Sequence, residues 1–284
     1  MSDYTNIISA ADLRAHLQDP AWVVVDCRFD LKNPEWGSEA YRQAHIPGAV
    51  YAHLDRDLSG PISERTGRHP LPEIDTIITR LRSWGISNQS QVICYDTSGG
   101  AYAARLWWLL RFLGHRAVAV LDGCPPAWQQ AGYPLSGGVE TRPPADFSGS
   151  PQWEMLVTAG QVDQLRRDPN YRLIDARSPE RFRGEVEPID KDAGHIPGAV
   201  NRFHGENLSA DGTFLPPTEL HAGFERLLDG VDPRNAIVYC GSGVTSVHHL
   251  IAMDRAGLPL GRLYLGSWSE WIRDPQRPVG KATK

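Results

Sequence analysis

Short apolar runs alternate along the chain with stretches in which apolar residues recur every three or four positions. The runs Val23–Val25 and Leu173–Ile174 are each followed by an aspartate, and each predicts a buried strand. Helix-like stretches occupy 102–113 and 244–256, each after a further apolar run. The glycines that follow these stretches and predict the helix ends are Gly114 and Gly257. Because the strands are continuously apolar, the pattern predicts an α/β fold with a mainly parallel sheet flanked by helices.

The two halves of the chain repeat the same segments in the same order. The hexapeptide His-Ile-Pro-Gly-Ala-Val occurs twice, starting at His45 and at His195. Six identical residues at corresponding places predict two copies of one domain. We place the first copy at 1–138 and the second at 153–284, joined by a linker at 139–152 that is rich in Gly, Pro and Ser.

Composition and charge exclude several classes of protein. The 284 residues suit two domains, and 41% hydrophobic with 22% charged residues is ordinary for globular proteins. The net charge of -5 is spread without a basic block, so no nucleic acid and no membrane is expected as a partner. Asp3, Asp12 and Arg14 interrupt the N-terminal segment where a signal peptide would be apolar. The sequence therefore predicts a cytoplasmic protein.

The four cysteines point to one reactive thiol and no metal site. They contain no C-x-x-C pair and no zinc-like spacing, so neither a disulfide framework nor a metal is expected. Cys94 lies inside an apolar run and Cys27 directly follows one, as is typical of small buried thiols. Cys240 instead follows a predicted strand at the start of a glycine-containing loop.

The loop after Cys240 has the features that activate a thiol. It reads Cys240-Gly241-Ser242-Gly243 and leads into the predicted helix. Backbone N–H groups in such a turn and the positive end of the following helix favour an anion, so the pKa of Cys240 should be low. The two glycines let the N–H groups point inward without obstruction. The alternative is a structural turn with a buried thiol.

The sequence Cys-Gly-Ser-Gly-Val-Thr from Cys240 resembles the active loop of the 3-mercaptopyruvate sulfurtransferases, in the tandem-domain rhodanese superfamily. The doubled His-Ile-Pro-Gly-Ala-Val is similar to that family as well. So are Arg181-Phe-Arg-Gly184 before Glu187-Pro188, and Gly266-Ser-Trp-Ser-Glu-Trp271, in the same order. The resemblance implies two rhodanese-like domains, of which the C-terminal one is catalytic and the N-terminal one lacks the nucleophile.

The repeat indicates the same asymmetry without the resemblance. Setting the two halves against each other places Asp96 at the position of Cys240, and a carboxylate cannot become a persulfide. The resemblance implies that Cys240 carries sulfur from 3-mercaptopyruvate or thiosulfate to a thiol or cyanide acceptor, with a thioredoxin-like protein as one candidate. It implies that the reaction needs no metal or organic cofactor, since the intermediate is a covalent persulfide on the cysteine.

The resemblance also suggests the other site residues. Arg181 matches the position that holds the small anionic donor, which suits a planar guanidinium. Ser242 is expected to pair with a histidine that matches His45, although the repeated His45 and His195 also fit a structural role in the turn. The remaining predicted substrate-binding residues, all in the loop, are Gly241, Gly243, Val244 and Thr245.

The clues to the donor conflict. The 3-mercaptopyruvate sulfurtransferases carry a second arginine just after Glu-Pro, whereas Ile189 and Asp190 stand there, and Lys191 is a candidate to restore the charge. Enzymes that use thiosulfate also lack that arginine but carry basic side chains in the loop, where this chain has Gly241 and Ser242. A thiosulfate-specific rhodanese therefore stays an alternative.

Two other functions compete with sulfur transfer, one a different enzyme and one a non-catalytic module. A cysteine-dependent phosphatase needs an arginine six residues after its cysteine, and Ser246 stands there. A non-catalytic tandem module that senses sulfur or binds a partner would not need the intact Cys240 loop. Both fit the sequence less well than a sulfurtransferase.

Overall fold

A computed structural model describes residues 4–281 and divides the chain into two compact units. The first unit comprises the described chain up to Gly60, Leu71–Gln152 and Leu208–Phe214. The second comprises Pro61–Pro70, Trp153–Asn207 and the chain from Leu215 onward. Residues 139–152, predicted to be a linker, thus belong to the first unit, where Ala145 N donates to Arg82 O.

The first unit is built on a five-stranded sheet in the order β1-β5-β4-β2-β3, with every pairing parallel. Its strands are β1 (Ile7–Ile8), β2 (Trp22–Asp26), β3 (Val50–Tyr51), β4 (Gln91–Tyr95) and β5 (Val118–Leu121). Its helices are α1 (Ala10–His16), α2 (Trp36–Gln43), α3 (Leu54–Asp57), α4 (Ile74–Ser83), α5 (Ala103–Phe112) and α6 (Cys124–Gln130). Strand β4 is buried along its whole length, as its continuous apolar sequence predicts.

The second unit repeats this plan with four parallel strands in the order β7-β6-β8-β9. Its strands are β6 (Arg172–Asp175), β7 (Val200–Asn201), β8 (Ala236–Tyr239) and β9 (Arg262–Leu263). Its α-helices are α7 (Ala159–Leu165), α8 (Pro179–Arg183), α9 (Pro217–Leu228), α10 (Val247–Arg255) and α11 (Ser267–Trp271). Its 3₁₀ turns are Trp153–Met155, His204–Asn207 and Pro233–Asn235. The predicted α/β class with mainly parallel sheets is confirmed.

The predicted ends of two helices are confirmed by backbone geometry. Gly114 and Gly257 follow α5 and α10 with φ of 87° and 72°, the left-handed conformation in which glycine ends a helix. Within residues 4–281, no helix is long and apolar enough to cross a membrane.

Each unit contains the same buried ion pair at the end of its second strand. Arg28 binds Asp26 in the first unit at 2.5 Å, and Arg177 binds Asp175 in the second at 2.7 Å. Each arginine also donates from Nη2 to a backbone carbonyl near the repeated hexapeptide, 2.7 Å from Ala44 O in the first unit. The sequence repeat therefore corresponds to a repeated structural interaction, because the ion pair is buried and hydrogen-bonded in both units.

Candidate active site

Cys240 directly follows β8, at the carboxyl end of the parallel sheet of the second unit. In open α/β sheets this edge is where ligands bind. The thiol residue is only 2% exposed. Its backbone N–H donates to Ser267 Oγ at 3.1 Å, and its carbonyl accepts from Trp268 N at 3.0 Å. The start of α11 thus fixes the position of the cysteine.

Neighbouring atoms lie so close to the backbone of the loop that two of its positions require glycine. Gly243 has φ of 72°, and a Cβ there would collide with the carbonyl of Leu265. A Cβ at Gly241 would lie 2.8 Å from Nη2 of Arg68. The glycines therefore keep the loop curled and leave room for cationic side chains above it.

The loop lowers the pKa of the Cys240 thiol below its ordinary value. Burial by itself would raise that pKa, but hydrogen bonds to the sulfur outweigh burial, and the Thr245 side chain makes the largest of these contributions. The other donors are the backbone N–H of Ser242 and both the side chain and backbone of Ser246. Apart from this interaction, the buried Ser246 hydroxyl has no hydrogen-bond partner in residues 4–281. The site is therefore built for a sulfur anion.

We expect alkylation by iodoacetamide, an uncharged reagent, to follow this pKa. Cys240 should react with a pH midpoint below that of an ordinary cysteine, about 8.5, because its thiolate is favoured. Thr245→Val should move the midpoint upward, since it removes the largest favourable hydrogen bond. Rates measured by mass spectrometry across pH would check this, and a midpoint that is unchanged in Thr245→Val would contradict the assignment.

Ser242 pairs with a different histidine from the one predicted. Its hydroxyl lies 2.7 Å from Nδ1 of His69, and both residues are buried. The predicted pairing with His45 is wrong: Nδ1 of His45 lies 2.7 Å from the carbonyl of Tyr41, and its Nε2 has no hydrogen-bond partner in residues 4–281. His69 belongs to the segment Pro61–Pro70 of the second unit.

The repeated histidines instead occupy equivalent structural positions. His195 Nδ1 lies 2.8 Å from the carbonyl of Phe182, as His45 Nδ1 does from that of Tyr41. Each imidazole also stacks on the ring of the same partner, with centroids 4.0 and 4.3 Å apart. Both side chains thus hold the turn of the hexapeptide against the preceding helix.

Arg181 lies beside the loop and is held by a buried carboxylate. It makes two hydrogen bonds to Glu187, from Nε at 3.1 Å and from Nη2 at 2.6 Å. Arg177 also binds Glu187, at 3.2 Å. Burial would raise the pKa of Glu187, but its hydrogen bond and charge interaction with Arg181 outweigh burial and lower it. The bidentate contact orients the guanidinium, whose Nη2 is 3.6 Å from a Cβ placed at Gly241.

A second guanidinium at the loop comes from Arg68, next to His69. Its Nη1 forms an ion pair with Asp190 Oδ1, and its backbone N–H donates to Ser269 Oγ at 3.1 Å. Asp190 follows Glu187-Pro188, where the sequence raised the question of a missing arginine. Lys191, the candidate to replace that charge, is 67% exposed and lies 3.7 Å from Asp192. Of these two side chains, Arg68 is the one that lies beside Gly241 of the loop.

The matching loop of the first unit is filled by its own carboxylate. Asp96 accepts four backbone N–H groups, two on each oxygen, from Ser98, Gly100, Tyr102 and Ala103. A fixed anion thus occupies the first copy of the anion-binding turn, which agrees with the predicted lack of a nucleophile there.

Sequence reasoning missed Arg68 and His69, and only a weak signal marked them. They are a basic pair in a proline-containing segment before α4, far from Cys240 along the chain. The structure places Arg68 and Arg181 beside Gly241 of the Cys240 loop, and it pairs His69 with Ser242 of the same loop. Of the other predicted loop residues, Val244 is 3% exposed beside them. Within residues 4–281, no group of three or more His, Cys, Asp or Glu side chains is arranged to hold a metal ion.

Comparison with known proteins gives one consistent result. The model of the rhodanese-like domain matches twice, at residues 9–131 and 158–274. A Pseudomonas aeruginosa protein named "Probable 3-mercaptopyruvate sulfurtransferase" is 49% identical over 96% of this chain and 97% of its own. Mouse thiosulfate sulfurtransferase is 32% identical over 93% of this chain and 89% of its own.

Solved structures agree with these relatives. A structure described as a 3-mercaptopyruvate sulfotransferase from Escherichia coli has a TM-score of 0.81 and 32% identity, and the match covers 94% of this chain and 100% of that one. The two matches to the domain model cover most of the chain and coincide with its two halves. The chain therefore belongs to the rhodanese family and carries two rhodanese-like domains.

Proposed function

We propose that this protein is a sulfurtransferase that moves a sulfane sulfur from 3-mercaptopyruvate or thiosulfate to a thiol or cyanide acceptor, with Cys240 as the persulfide carrier. The observation that carries the proposal is the lowered pKa of the buried Cys240 thiol in a loop of converging hydrogen-bond donors. Relatives named as sulfurtransferases along nearly the whole chain support the same class of reaction.

The first half-reaction is nucleophilic covalent catalysis. The Cys240 thiolate attacks the outer sulfur of thiosulfate, the S–S bond of the donor breaks, and sulfite leaves with the electron pair. With 3-mercaptopyruvate the C–S bond breaks, and the carbon that keeps the electron pair takes a proton to give pyruvate. Both routes leave a persulfide on Cys240, whose anion the loop donors stabilise.

The second half-reaction frees the enzyme. The acceptor attacks the outer sulfur of the persulfide, the S–S bond breaks, and the Cys240 thiolate is regenerated. Cyanide would leave as thiocyanate, and a thiol would leave as its own persulfide. A thioredoxin-like acceptor, the absence of any cofactor and a cytoplasmic location are part of this proposal and rest on the sequence.

The surrounding side chains have distinct roles in the proposal. Arg181, oriented by Glu187, binds the donor anion. Ser242 and His69 form a hydrogen-bonded pair that can deliver the proton needed when 3-mercaptopyruvate is the donor. Gly241, Gly243, Val244 and Thr245 shape the loop and stabilise the sulfur anion.

Mass spectrometry tests the proposal directly. The intact protein, exposed separately to 3-mercaptopyruvate and to thiosulfate, is expected to gain the mass of one sulfur and to lose it to cyanide. Peptide mapping after alkylation should place that sulfur on Cys240. Absence of the gain with both donors, or its location on another cysteine, would overturn the proposal. A gain with thiosulfate alone would establish the alternative of a thiosulfate-specific enzyme.

A further inference from the structure

A carboxylate of the protein itself lies between the two guanidinium groups above the Cys240 loop. Asp190 forms an ion pair with Arg68 through Oδ1, and its Oδ2 lies 3.5 Å from Nη2 of Arg181. A Cβ placed at Gly241 would be 2.8 Å from Arg68 Nη2 and 3.6 Å from Arg181 Nη2. The Asp190 side chain is only 6% exposed. An internal anion thus binds the two cations nearest the loop.

Within the ion-pair group beside the loop, the side-chain charges balance only when Asp190 is included. Three arginines form one connected ion-pair group with three carboxylates. The members of this group are Arg68, Arg177, Arg181, Asp175, Glu187 and Asp190. Without Asp190 the group has one excess positive charge. Because a largely buried group of ions disfavours an unbalanced charge, movement of the Asp190 carboxylate would favour another anion in its place.

The contacts and surroundings of Asp190 allow it to move. It lies in an irregular segment between α8 and β7, and its backbone N–H donates to Glu187 Oε1 at 3.2 Å. A cavity of about 430 Å³ adjoins it, and Arg68, Lys191 and Arg273 are among the residues that line it. A turn of the carboxylate away from the two guanidinium groups would bring it toward a space lined by Lys191 and Arg273, and also by Glu64.

We propose that Asp190 occupies the place of the donor anion, that the donor displaces it to bind Arg68 and Arg181, and that Asp190 thereby selects against donors of higher negative charge. The identity of the ligand as a sulfur donor rests on the proposed function above. A monoanion such as 3-mercaptopyruvate replaces the Asp190 charge one for one. Thiosulfate, a dianion, leaves one excess negative charge near the displaced carboxylate. Asp190 is thus a specificity-determining residue, and Arg68 is the second anion-binding guanidinium.

The test compares Asp190→Asn with the wild-type protein for both donors. We expect KM for thiosulfate to fall about tenfold or more, because the competing charge is lost. The fall in log KM should be about twice that for 3-mercaptopyruvate, since Coulomb energy scales with the charge of the donor. Arg68→Gln should raise KM for both donors. The matched control is Asp192→Asn, which removes an exposed charge two residues away and should leave both KM values within about twofold.

A second measurement does not depend on turnover. Pyruvate and sulfite, the products released from the two donors, should protect Cys240 from iodoacetamide at lower concentration in Asp190→Asn than in the wild type. Unchanged protection and KM in Asp190→Asn, or equal effects in Asp192→Asn, would overturn the proposal. If the wild type forms no persulfide but protection still tightens, the sulfurtransferase proposal fails and the anion site stands. If persulfide forms and protection is unchanged, only the role of Asp190 fails.

Discussion

Cys240→Ser is expected to abolish sulfur transfer from both donors. A serine hydroxyl is not ionised near neutral pH and forms no persulfide, so no residue of the loop can accept the sulfur. The other cysteines are poorly suited to replace it. Burial raises the pKa of both Cys27 and Cys124 well above the ordinary value, with further contributions from Cys94 and Asp96 respectively, and Cys94 is fully buried inside β4. Intact mass after exposure to each donor should show no added sulfur.

Cys124→Ser provides the matched control for this experiment. Cys124 and Ser267 follow the glycines Gly123 and Gly266 at equivalent places in the two units, and both have positive φ, 53° and 54°. A serine is therefore accepted in this backbone conformation. The control should gain one sulfur and turn over like the wild type. A stable mass gain in Cys240→Ser, or its loss in Cys124→Ser with folding intact by circular dichroism, would contradict the assignment of the carrier.

The fold can be predicted from the sequence, and Cys240 can be proposed from it as the sulfur carrier, because both leave local signals. Continuously apolar strands predict parallel sheets, and a cysteine between a strand and a glycine-rich turn predicts an activated thiol. The structure of the predicted linker is harder to predict, because the composition of 139–152 alone indicates an exposed segment. In the structure Gln152 N donates to Phe112 O, and Asn88 binds the backbone of Ser148. Long-range backbone hydrogen bonds of this kind leave no pattern in composition.

The histidine partner of Ser242 could not be found from the repeat. Repetition made His45 and His195 conspicuous, yet what repeats is a turn in which each imidazole bonds a carbonyl of the preceding helix. His69 has no repeated counterpart: when Leu71-Pro72 is set against Leu215-Pro216, its position is taken by Thr213. In the proposed function only the second copy performs the chemistry, so the residues that would serve it are those that the two copies do not share.

The second large effect is expected from His69→Ala, and it should depend on the donor. Cleavage of the C–S bond of 3-mercaptopyruvate leaves an electron pair on carbon, which needs a proton. Cleavage of thiosulfate releases sulfite, which is a stable anion without one. The contact of 2.7 Å between His69 Nδ1 and Ser242 Oγ is a route for that proton. We therefore expect kcat with 3-mercaptopyruvate to fall about 100-fold, and kcat with thiosulfate to change by less than about threefold.

Ser242→Ala and the double variant separate proton delivery from positioning of the loop. If the two residues act as one unit, Ser242→Ala should show the same dependence on the donor, and the double variant should be little worse than either single one. The pH midpoint for alkylation of Cys240 should stay nearly unchanged in His69→Ala, because the largest contributions that lower the pKa of the thiol come from hydrogen bonds of Thr245, Ser242 and Ser246 in the loop. Equal losses with both donors, together with a shifted midpoint, would instead make His69 a residue that only holds the loop in place.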